Sequence, residues 1–374
     1  MSDQASVDVV CTQENLTKGL QVVSRVATTK SSLPILANIH LQAEKGQLTL
    51  AATDLEIGVT TTIGAKVSGT GAITLPARLL VDFVTTTTDE TLTIRVEGAQ
   101  ATLSSDRYRA VMNGMDAAEF PLIPSPGDEA TASIPSGQLK AAISSVLFAA
   151  ALDDARPVLN GVLLRVDGTT LTLAATDSYR LAERVLELST KVSNEQRIIV
   201  PARAAAEIVR ILPDIDALVK VIVSANQVAL AFDQTRIVSR LIEGNYPDYA
   251  EIIPKEASTT VTARRADVIA AVRMASLFAR DVAHHIRLKS SPSSGFSIQA
   301  VSSSVGQNTA TVPGEVTGDE LEVAFNAKYL LDALNATPGD TATLKFLGTD
   351  RPVVVRSGDE EPYLNLVMPL RLDA

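Results

Sequence analysis

LTLAATD occurs twice in the chain, at Leu48–Asp54 and again at Leu171–Asp177, 123 residues later. A second series keeps nearly the same offset, because LPARLL (Leu75–Leu80) corresponds to VPARAA (Val200–Ala205). FNAKYL (Phe325–Leu330) continues that series after a further 125 residues. Self-similarity at a fixed period indicates tandem copies of one structural unit. The sequence therefore predicts three copies of one domain, of which the third is the most diverged.

Two polar breaks separate the predicted copies. PLIPSPGDEATA (Pro121–Ala132) is rich in Pro and Gly, and IPKEASTT (Ile253–Thr260) has no apolar periodicity. A chain of 374 residues exceeds what one core usually holds, which favours two or three domains. The predicted domains are 1–125, 126–254 and 255–374.

Each copy has the pattern helix, strands, helix, strands. Leu16, Leu20 and Val23 form one apolar stripe at helical spacing, and the other two copies repeat it. A second helix is expected after each PAR or NAK motif, with Pro76 and Pro201 in the first helical turn. The segments between alternate apolar and polar residues, as half-buried strands do. Each copy is therefore predicted to be an α+β domain with two helices packed on antiparallel sheet. The predicted helices are 12–26, 76–85, 136–148, 201–212, 263–280 and 326–335.

The charge is distributed unevenly along the chain. The formal net charge of −10 argues against a nucleic-acid partner when it is taken as a whole. The six predicted helices, however, hold 11 basic and 5 acidic residues, which leaves the rest of the chain at −16. A basic helical layer beside an acidic sheet layer is what a protein that encloses a polyanion needs.

Composition also limits the compartment and the chemistry. Cys11 is the single cysteine, which excludes an intrachain disulfide and a thiolate zinc cluster and fits a reducing cytoplasm. We expect neither a signal peptide nor a membrane span, because no apolar run reaches the required length. The sequence thus predicts a cytoplasmic protein.

No catalytic constellation emerges from the sequence. The nucleotide-binding motifs GxxxxGK[ST] and GxGxxG are absent. His40, His284 and His285 lack a third ligand at a recognisable spacing, so we expect no metal site. Asp54 and Asp177 recur because each ends the same strand of a repeated domain, where Asp accepts N–H bonds of a turn. We therefore predict a protein that is not an enzyme and needs no cofactor.

Five stretches in order carry a family resemblance. The chain resembles the bacterial DNA polymerase III β subunits, the replicative sliding clamps, throughout its length. The resemblance implies three DNA-clamp domains per chain, a ring-shaped head-to-tail homodimer around duplex DNA, and a role as polymerase processivity factor. The stretches are LPIL (Leu33–Leu36), LNGVLL (Leu159–Leu164), ATDSYRLA (Ala175–Ala182), NYPDY (Asn245–Tyr249) and VMPLRL (Val367–Leu372).

The resemblance further implies contacts with DNA phosphates. Ala202 and Asp153 depart from the family pattern, which has a basic residue and a glutamine at those positions. The expected DNA-binding residues are Lys30, Arg78 and Arg203, with Lys328 added from the repeat.

A partner pocket is implied between the second and third domains. Its apolar walls accept Leu or Phe anchors of short peptides, and Arg180 and Arg371 are expected to orient polar groups of the peptide. Ser178-Tyr179 replaces a Gly-His pair seen in some members. The expected pocket residues are Leu159, Thr176, Ser178, Tyr179, Arg180, Leu181, Pro247, Ile252, Val367, Met368, Pro369, Leu370 and Arg371.

The implied partners are a second copy of the chain, duplex DNA, the DNA polymerase III catalytic subunit, a clamp loader, and other polymerases and repair proteins with clamp-binding peptides. For the dimer contact, the matching positions are Met112 in the first domain and Leu277 with Phe278 in the third.

Two alternatives remain open at this point. One is a monomeric repeat scaffold that binds peptides and not DNA. The other is a hydrolase that uses Asp54, Asp177 and Arg180, although the sequence shows no base for it.

Overall fold

The computed structural model describes residues 7–29, 31–44, 46–124, 126–153, 155–215, 217–280, 284–358 and 362–371. All six predicted helices are present, and their ends agree with the predicted ends to within three residues. The helices are α1 (Gln13–Val23), α2 (Ala77–Thr86), α3 (Ser136–Leu147), α4 (Ala202–Ile211), α5 (Arg265–Phe278) and α6 (Ala327–Ala336).

Strands fill most of the remaining chain, with nine in the first copy, six in the second and nine in the third among the described residues. The first copy has β1 (Val7–Thr12), β2 (Asn38–Glu44), β3 (Gln47–Thr53), β4 (Ile57–Gly64), β5 (Lys66–Ser68), β6 (Gly71–Pro76), β7 (Thr91–Glu97), β8 (Gln100–Ser104) and β9 (Arg109–Asn113). The second has β10 (Ala132–Pro135), β11 (Gly161–Thr176), β12 (Arg180–Pro201), β13 (Leu218–Val223), β14 (Gln227–Phe232) and β15 (Thr235–Arg240). The third has β16 (Thr259–Arg264), β17 (His285–Ser291), β18 (Gly295–Ser302), β19 (Gly306–Val312), β20 (Gly314–Gly318), β21 (Leu321–Asn326), β22 (Thr341–Phe346), β23 (Val353–Arg356) and β24 (Tyr363–Val367).

The two motif prolines lie one residue earlier than predicted. Pro76 ends β6 opposite Asn38 and is the residue that precedes α2, with φ −55° and ψ 116°. Pro201 likewise ends β12, opposite Gly161, and α4 begins after it. The prediction that they occupy the first helical turn is wrong, because both still belong to a strand ladder and precede the first helical residue. The fixed φ of proline suits a strand end as well as a helix start.

The chain divides into two compact units. Unit 1 comprises residues 1–138 and 207–241, and unit 2 comprises residues 139–206 and 242–374. Each unit contains two sheets, and every recorded strand pairing is antiparallel, as predicted. The domain bounds near 125 and 254 stay a prediction.

The sheets of unit 1 have the orders β5-β1-β7-β8-β9 and β10-β13-β14-β15-β4-β3-β2-β6. Those of unit 2 have the orders β11-β12-β24-β23-β22-β16-β20 and β19-β18-β17-β21. In both units, one sheet therefore joins strands from two successive copies, at β15–β4 and at β12–β24.

The predicted apolar stripe of α1 is buried in unit 1. Leu16, Leu20 and Val23 are each at most 1% exposed. Gly19 lies on the same face, and a Cβ there would come within 2.7 Å of Leu50 Cδ1 on β3. The absence of a side chain at Gly19 thus lets the helix approach the sheet closely, because any Cβ there would force Leu50 to shift. Burial of each such Leu or Val contributes about 1.5–3 kcal/mol.

In the described part of the chain, no helix has both the length and the apolar character that a membrane crossing requires.

Candidate functional sites

One basic residue recurs at the same place in three helices. Arg78, Arg203 and Lys328 are each the second residue of their helix, in α2, α4 and α6, and all three are exposed. The Arg78 side chain is 96% exposed, and its nearest acid, Asp82, lies 3.8 Å away across one helical turn. Lys30, the fourth predicted DNA-binding residue, lies outside the described residues.

The helices carry a smaller positive excess than the sequence predicted. Within the observed bounds they hold eight basic and five acidic residues, so the excess falls from +6 to +3. Arg264 lies before α5 and forms an ion pair with Asp267 at 2.6 Å. Arg265 donates to the Gly339 carbonyl at 2.7 Å. Both arginines therefore stabilise local structure. The recurring cations Arg78, Arg203 and Lys328 are thus better evidence for a polyanionic partner than the total charge of the helices.

The aspartates that end LTLAATD stabilise turns. Asp54 Oδ1 accepts hydrogen bonds from the backbone N–H groups two and three residues further on, at 3.0 and 2.9 Å. Asp177 Oδ1 does the same at 2.9 and 3.0 Å. The prediction of a structural role for this pair is confirmed.

No metal site assembles in the described ranges. No group of three or more His, Cys, Asp or Glu side chains is placed to hold a metal ion there. His40 lies on β2 against the ring of Phe120, with the ring centroids 5.1 Å apart, and burial lowers its pKa. Burial raises the pKa of the Cys11 thiol to about 11, which keeps it neutral and unreactive.

The turn that precedes β12 supplies one side of the predicted pocket. Ser178 has φ +80°, a left-handed conformation that costs a residue with a Cβ about 1–2 kcal/mol. Arg156 donates to Ser178 Oγ at 2.6 Å and thereby holds this turn. Tyr179, the next residue, is 59% exposed. The turn therefore presents an aromatic ring to solvent from a fixed backbone.

Arg180 is engaged within the protein and is only 8% exposed. Its Nε lies 3.0 Å from Asp177 Oδ2, and its Nη1 lies 2.6 Å from Asp332 Oδ2 on α6. Its guanidinium also lies over the rings of Tyr329 and Phe148, at 4.6 and 5.4 Å from their centroids. Asp177 and Asp332 thus hold two of its five N–H donors, and Arg180 links the turn before β12 to α6.

Tyr329 and Asp332 on α6 were absent from the predicted pocket set. The sequence carried a signal for them, because each follows the NAK motif at the spacing of Leu79 and Asp82 after the first PAR motif.

The apolar floor comes from two neighbouring strands. Leu181 on β12 pairs with Leu366 on β24, and both cluster with Val354 and Leu364. All four are at most 5% exposed. Sequence reasoning found Leu181 but missed the other three, which alternate along strands that approach β12 only in the fold.

The remaining predicted pocket residues lie in different surroundings. Leu159 is buried in a separate cluster, and Val367 belongs to the core of the third copy. The Met368 N–H donates to the Tyr179 carbonyl at 2.8 Å, which brings the C-terminal stretch beside the turn. Thr176 Oγ1 donates to the Arg180 carbonyl at 2.6 Å. The half-buried or exposed residues are Pro247, Ile252, Met368, Pro369, Leu370 and Arg371.

The residues predicted for the dimer contact differ in exposure. Leu277 at the end of α5 is 51% exposed, and Phe278 is half-buried. Met112 on β9 is only 1% exposed, while Val111 beside it is well exposed. An apolar groove next to this strand is lined by Leu79, Asp82, Phe83, Thr86, Thr87 and Tyr108.

Models of one family match the chain in sequence order. The N-terminal domain of the DNA polymerase III beta subunit matches residues 7–124, the central domain matches 133–248 and the C-terminal domain matches 250–371.

Known proteins of similar sequence and structure share the same description. The beta sliding clamp of Synechocystis sp. is 31% identical over 389 residues, which cover 97% of this chain and 99% of the relative. The DNA polymerase sliding clamp from Bacillus subtilis superposes with a TM-score of 0.95 at 27% identity, over 99% of this chain and 100% of that one. A sliding clamp from Pseudomonas aeruginosa bound to griselimycin gives 0.93 at 29% identity, over 98% and 100%.

Proposed function

The chain belongs to the DNA polymerase III beta subunit family, the sliding clamps, and on that premise we propose that it is a DNA polymerase processivity factor. Two copies form a ring around duplex DNA, each with three clamp domains that meet near residues 125 and 254. The ring tethers a replicative polymerase in the cytoplasm and performs no chemistry. A separate clamp loader opens it, since the sequence has no nucleotide-binding loop.

The recurring cation at the second position of α2, α4 and α6 is the observation that carries the DNA part of this proposal. A cation at a helix start faces the positive end of the helix dipole, which costs about 0.3–1 kcal/mol. An anion at the same end offsets that cost and also accepts hydrogen bonds from the first N–H groups. DNA phosphates fit this requirement, and such contacts read no base sequence.

Two edge strands support a head-to-tail dimer. The strand that follows LTLAATD pairs with a strand of the next copy. In the first copy β4 pairs with β15, and in the second copy β12 pairs with β24. In the third copy the equivalent strand is β19, and in the first copy the strand equivalent to β15 and β24 is β9. Among the described residues each of these two has one neighbour only. Pairing β19 of one chain with β9 of another repeats the internal contact and removes both edges.

The partner pocket binds short peptides of the DNA polymerase III catalytic subunit, the clamp loader, other polymerases and repair proteins. Exposed Tyr179 and Ile252 flank an apolar floor around Leu181, which suits Leu or Phe anchors of a peptide. Two such anchors contribute about 1.5–3 kcal/mol each. The Pseudomonas aeruginosa clamp bound to griselimycin supports the choice of griselimycin as a probe of this pocket.

Retention on DNA tests the ring. We expect the loaded protein to stay on nicked circular DNA and to leave after linearisation, because only a topological link depends on a closed circle. The double variant Arg78→Glu/Arg203→Glu should shorten retention at least about tenfold, with a smaller slope of binding against salt. The matched control reverses two exposed strand cations, Lys191→Glu/Lys220→Glu, and should behave as the wild type. Equal retention before and after linearisation would contradict encirclement.

Sedimentation tests the dimer. A dimer has about twice the chain mass of 39.5 kDa. Leu277→Asp should give monomers, because it places a charge on an exposed apolar residue of the proposed contact. Leu347→Asp, on an exposed leucine outside that contact, is the control. A wild-type monomer at micromolar concentration would favour the peptide-binding scaffold instead.

Deletion of residues 368–374 tests the pocket. This deletion keeps β24 with its buried Val367 and removes the stretch that begins at Met368. We expect lost binding of griselimycin and polymerase with intact dimers. Unchanged binding would place the pocket elsewhere.

A further inference from the structure

Tyr249 joins two apolar clusters of unit 2. Its ring packs on the cluster that contains Leu159 and Tyr246, and also on the cluster that contains Leu181 and Leu366. It meets the Tyr246 ring edge-on, with centroids 6.4 Å apart at 90°. Tyr249 therefore lies where the cluster around Leu159 meets the floor of the proposed pocket.

The Tyr249 hydroxyl donates to a carboxylate on β12. Its oxygen lies 2.6 Å from Glu183 Oε2, the distance of a charge-assisted hydrogen bond. Glu183 pairs with Leu364 of β24, so this bond ties the segment to the two strands of the pocket floor. Burial, and next the Glu183 charge, raise the pKa of Tyr249 far above its usual range, so the hydroxyl remains a donor.

The segment that follows is held by a few further contacts. The Ala250 N–H donates to Asp248 Oδ1 at 3.2 Å, and Ile253 packs on the cluster that contains Leu181. The short 3-10 turn Ala250–Ile252 starts at Tyr249 without a side-chain cap. Its two closing hydrogen bonds, from the Ile252 and Ile253 N–H groups, are 3.1 and 3.3 Å long. Ile252 and Pro247, the exposed wall residues, stand on either side of Tyr249 in sequence.

We infer that Tyr249, through its hydrogen bond to Glu183, is the positioning residue that fixes the Pro247–Ile252 wall of the partner pocket. The inference rests on the proposed pocket and adds a residue that does not itself contact the peptide. A wall already fixed in place binds more tightly because less freedom is lost on binding.

The test compares two tyrosines of the same segment. Tyr249→Phe removes only the hydroxyl, and we expect the Kd of griselimycin to rise about tenfold, as loss of one charge-assisted bond gives. Tyr246→Phe is the matched control, because its buried hydroxyl lies by the Thr176 backbone and makes no hydrogen bond to Glu183. That variant should stay within about twofold of the wild type. Glu183→Gln keeps an acceptor oxygen, so its Kd for griselimycin should lie between those of Tyr246→Phe and Tyr249→Phe.

Hydrogen exchange separates positioning from general loss of structure. In Tyr249→Phe, the Ile252 and Ile253 amides should exchange faster while those of Leu181 and Leu364 do not change. Faster exchange at all four amides, in Tyr249→Phe or in Glu183→Gln, would overturn the positioning role. An unchanged Kd in Tyr249→Phe beside a raised Kd in Ile252→Ala would overturn it too and leave the pocket standing. An unchanged Kd in both variants would contradict the proposed pocket as well.

Discussion

Ile57 and Arg180 occupy the same position of the repeat, three residues after the aspartate that ends LTLAATD, yet they differ in chemistry. In unit 1, Ile57 begins β4 opposite Ser239 of the next copy and is buried. In unit 2, Arg180 begins β12 opposite Val367 of the next copy, and two aspartates bind its guanidinium. We call these pairings of strands from successive copies, β4–β15 and β12–β24, the first and second junctions. An apolar residue is thus buried at the first junction, and a buried ionic cluster lies at the second.

This difference shows that the strand pairing, and not the side chain, defines the junction. Both junctions keep the antiparallel ladder, which every repeat can form from its backbone. The buried arginine at the second junction lies beside the proposed pocket, where it joins the β12 turn to α6 through Asp332. We interpret the ionic cluster as the device that fixes the pocket frame, a task the first junction does not have.

Arg180→Ala is expected to have one of the two largest effects. It leaves Asp177 and Asp332 close together without their shared cation, and breaking a buried pair in this way costs about 3–5 kcal/mol. Since Asp332 is partly exposed, we expect the lower end of that range. Urea unfolding followed by circular dichroism measures it.

Arg78→Ala is the control for that measurement. Its acid, Asp82, stands at the same place in the repeat as Asp332, but the pair is exposed and 3.8 Å apart. We expect a change below about 0.5 kcal/mol. An equal decrease in the free energy of unfolding in the two variants would show that the buried cluster stabilises the fold no more than an exposed ion pair does.

Ile57→Ala tests the apolar junction. Removing a buried isoleucine side chain leaves a cavity and costs about 2–4 kcal/mol. The loss should be the same at low and high salt, because no charge is involved, and it should leave griselimycin binding unchanged. Weakened binding in this variant would mean that the two junctions are not independent.

The sequence predicted what depends on local spacing. The stripe of Leu16, Leu20 and Val23 is buried as expected, because helical period is a property of neighbouring residues. It could not predict that Arg180 meets Asp332, since 152 residues separate them and only the β12–β24 pairing brings them together. The burial of Met112 was equally hidden, because strand alternation alone does not say which face of β9 is covered.

The smallest expected effect on the unfolding free energy comes from Tyr363→Phe. Comparing Tyr363 with Tyr108 extends the comparison to the edge of the first copy. They occupy equivalent positions, since the bridges Thr74–Met115 and Ala324–Leu370 follow each at the same spacing. Tyr363 is buried and donates to the Ser145 carbonyl at 2.7 Å, whereas Tyr108 borders the open groove.

Burial raises the pKa of Tyr363 well above its ordinary value near 10. A raised pKa in the folded state means that the stabilisation is complete below pH 10 and is lost as the pH rises further. At pH 10.5 the loss from one such tyrosine is about 0.8 kcal/mol. We expect Tyr363→Phe to flatten the decline of unfolding free energy between pH 9 and 10.5, because the variant lacks the hydroxyl that loses its proton in the unfolded chain. A decline as steep in Tyr363→Phe as in the wild type would contradict this, because it would mean that other groups cause the loss of stability at high pH.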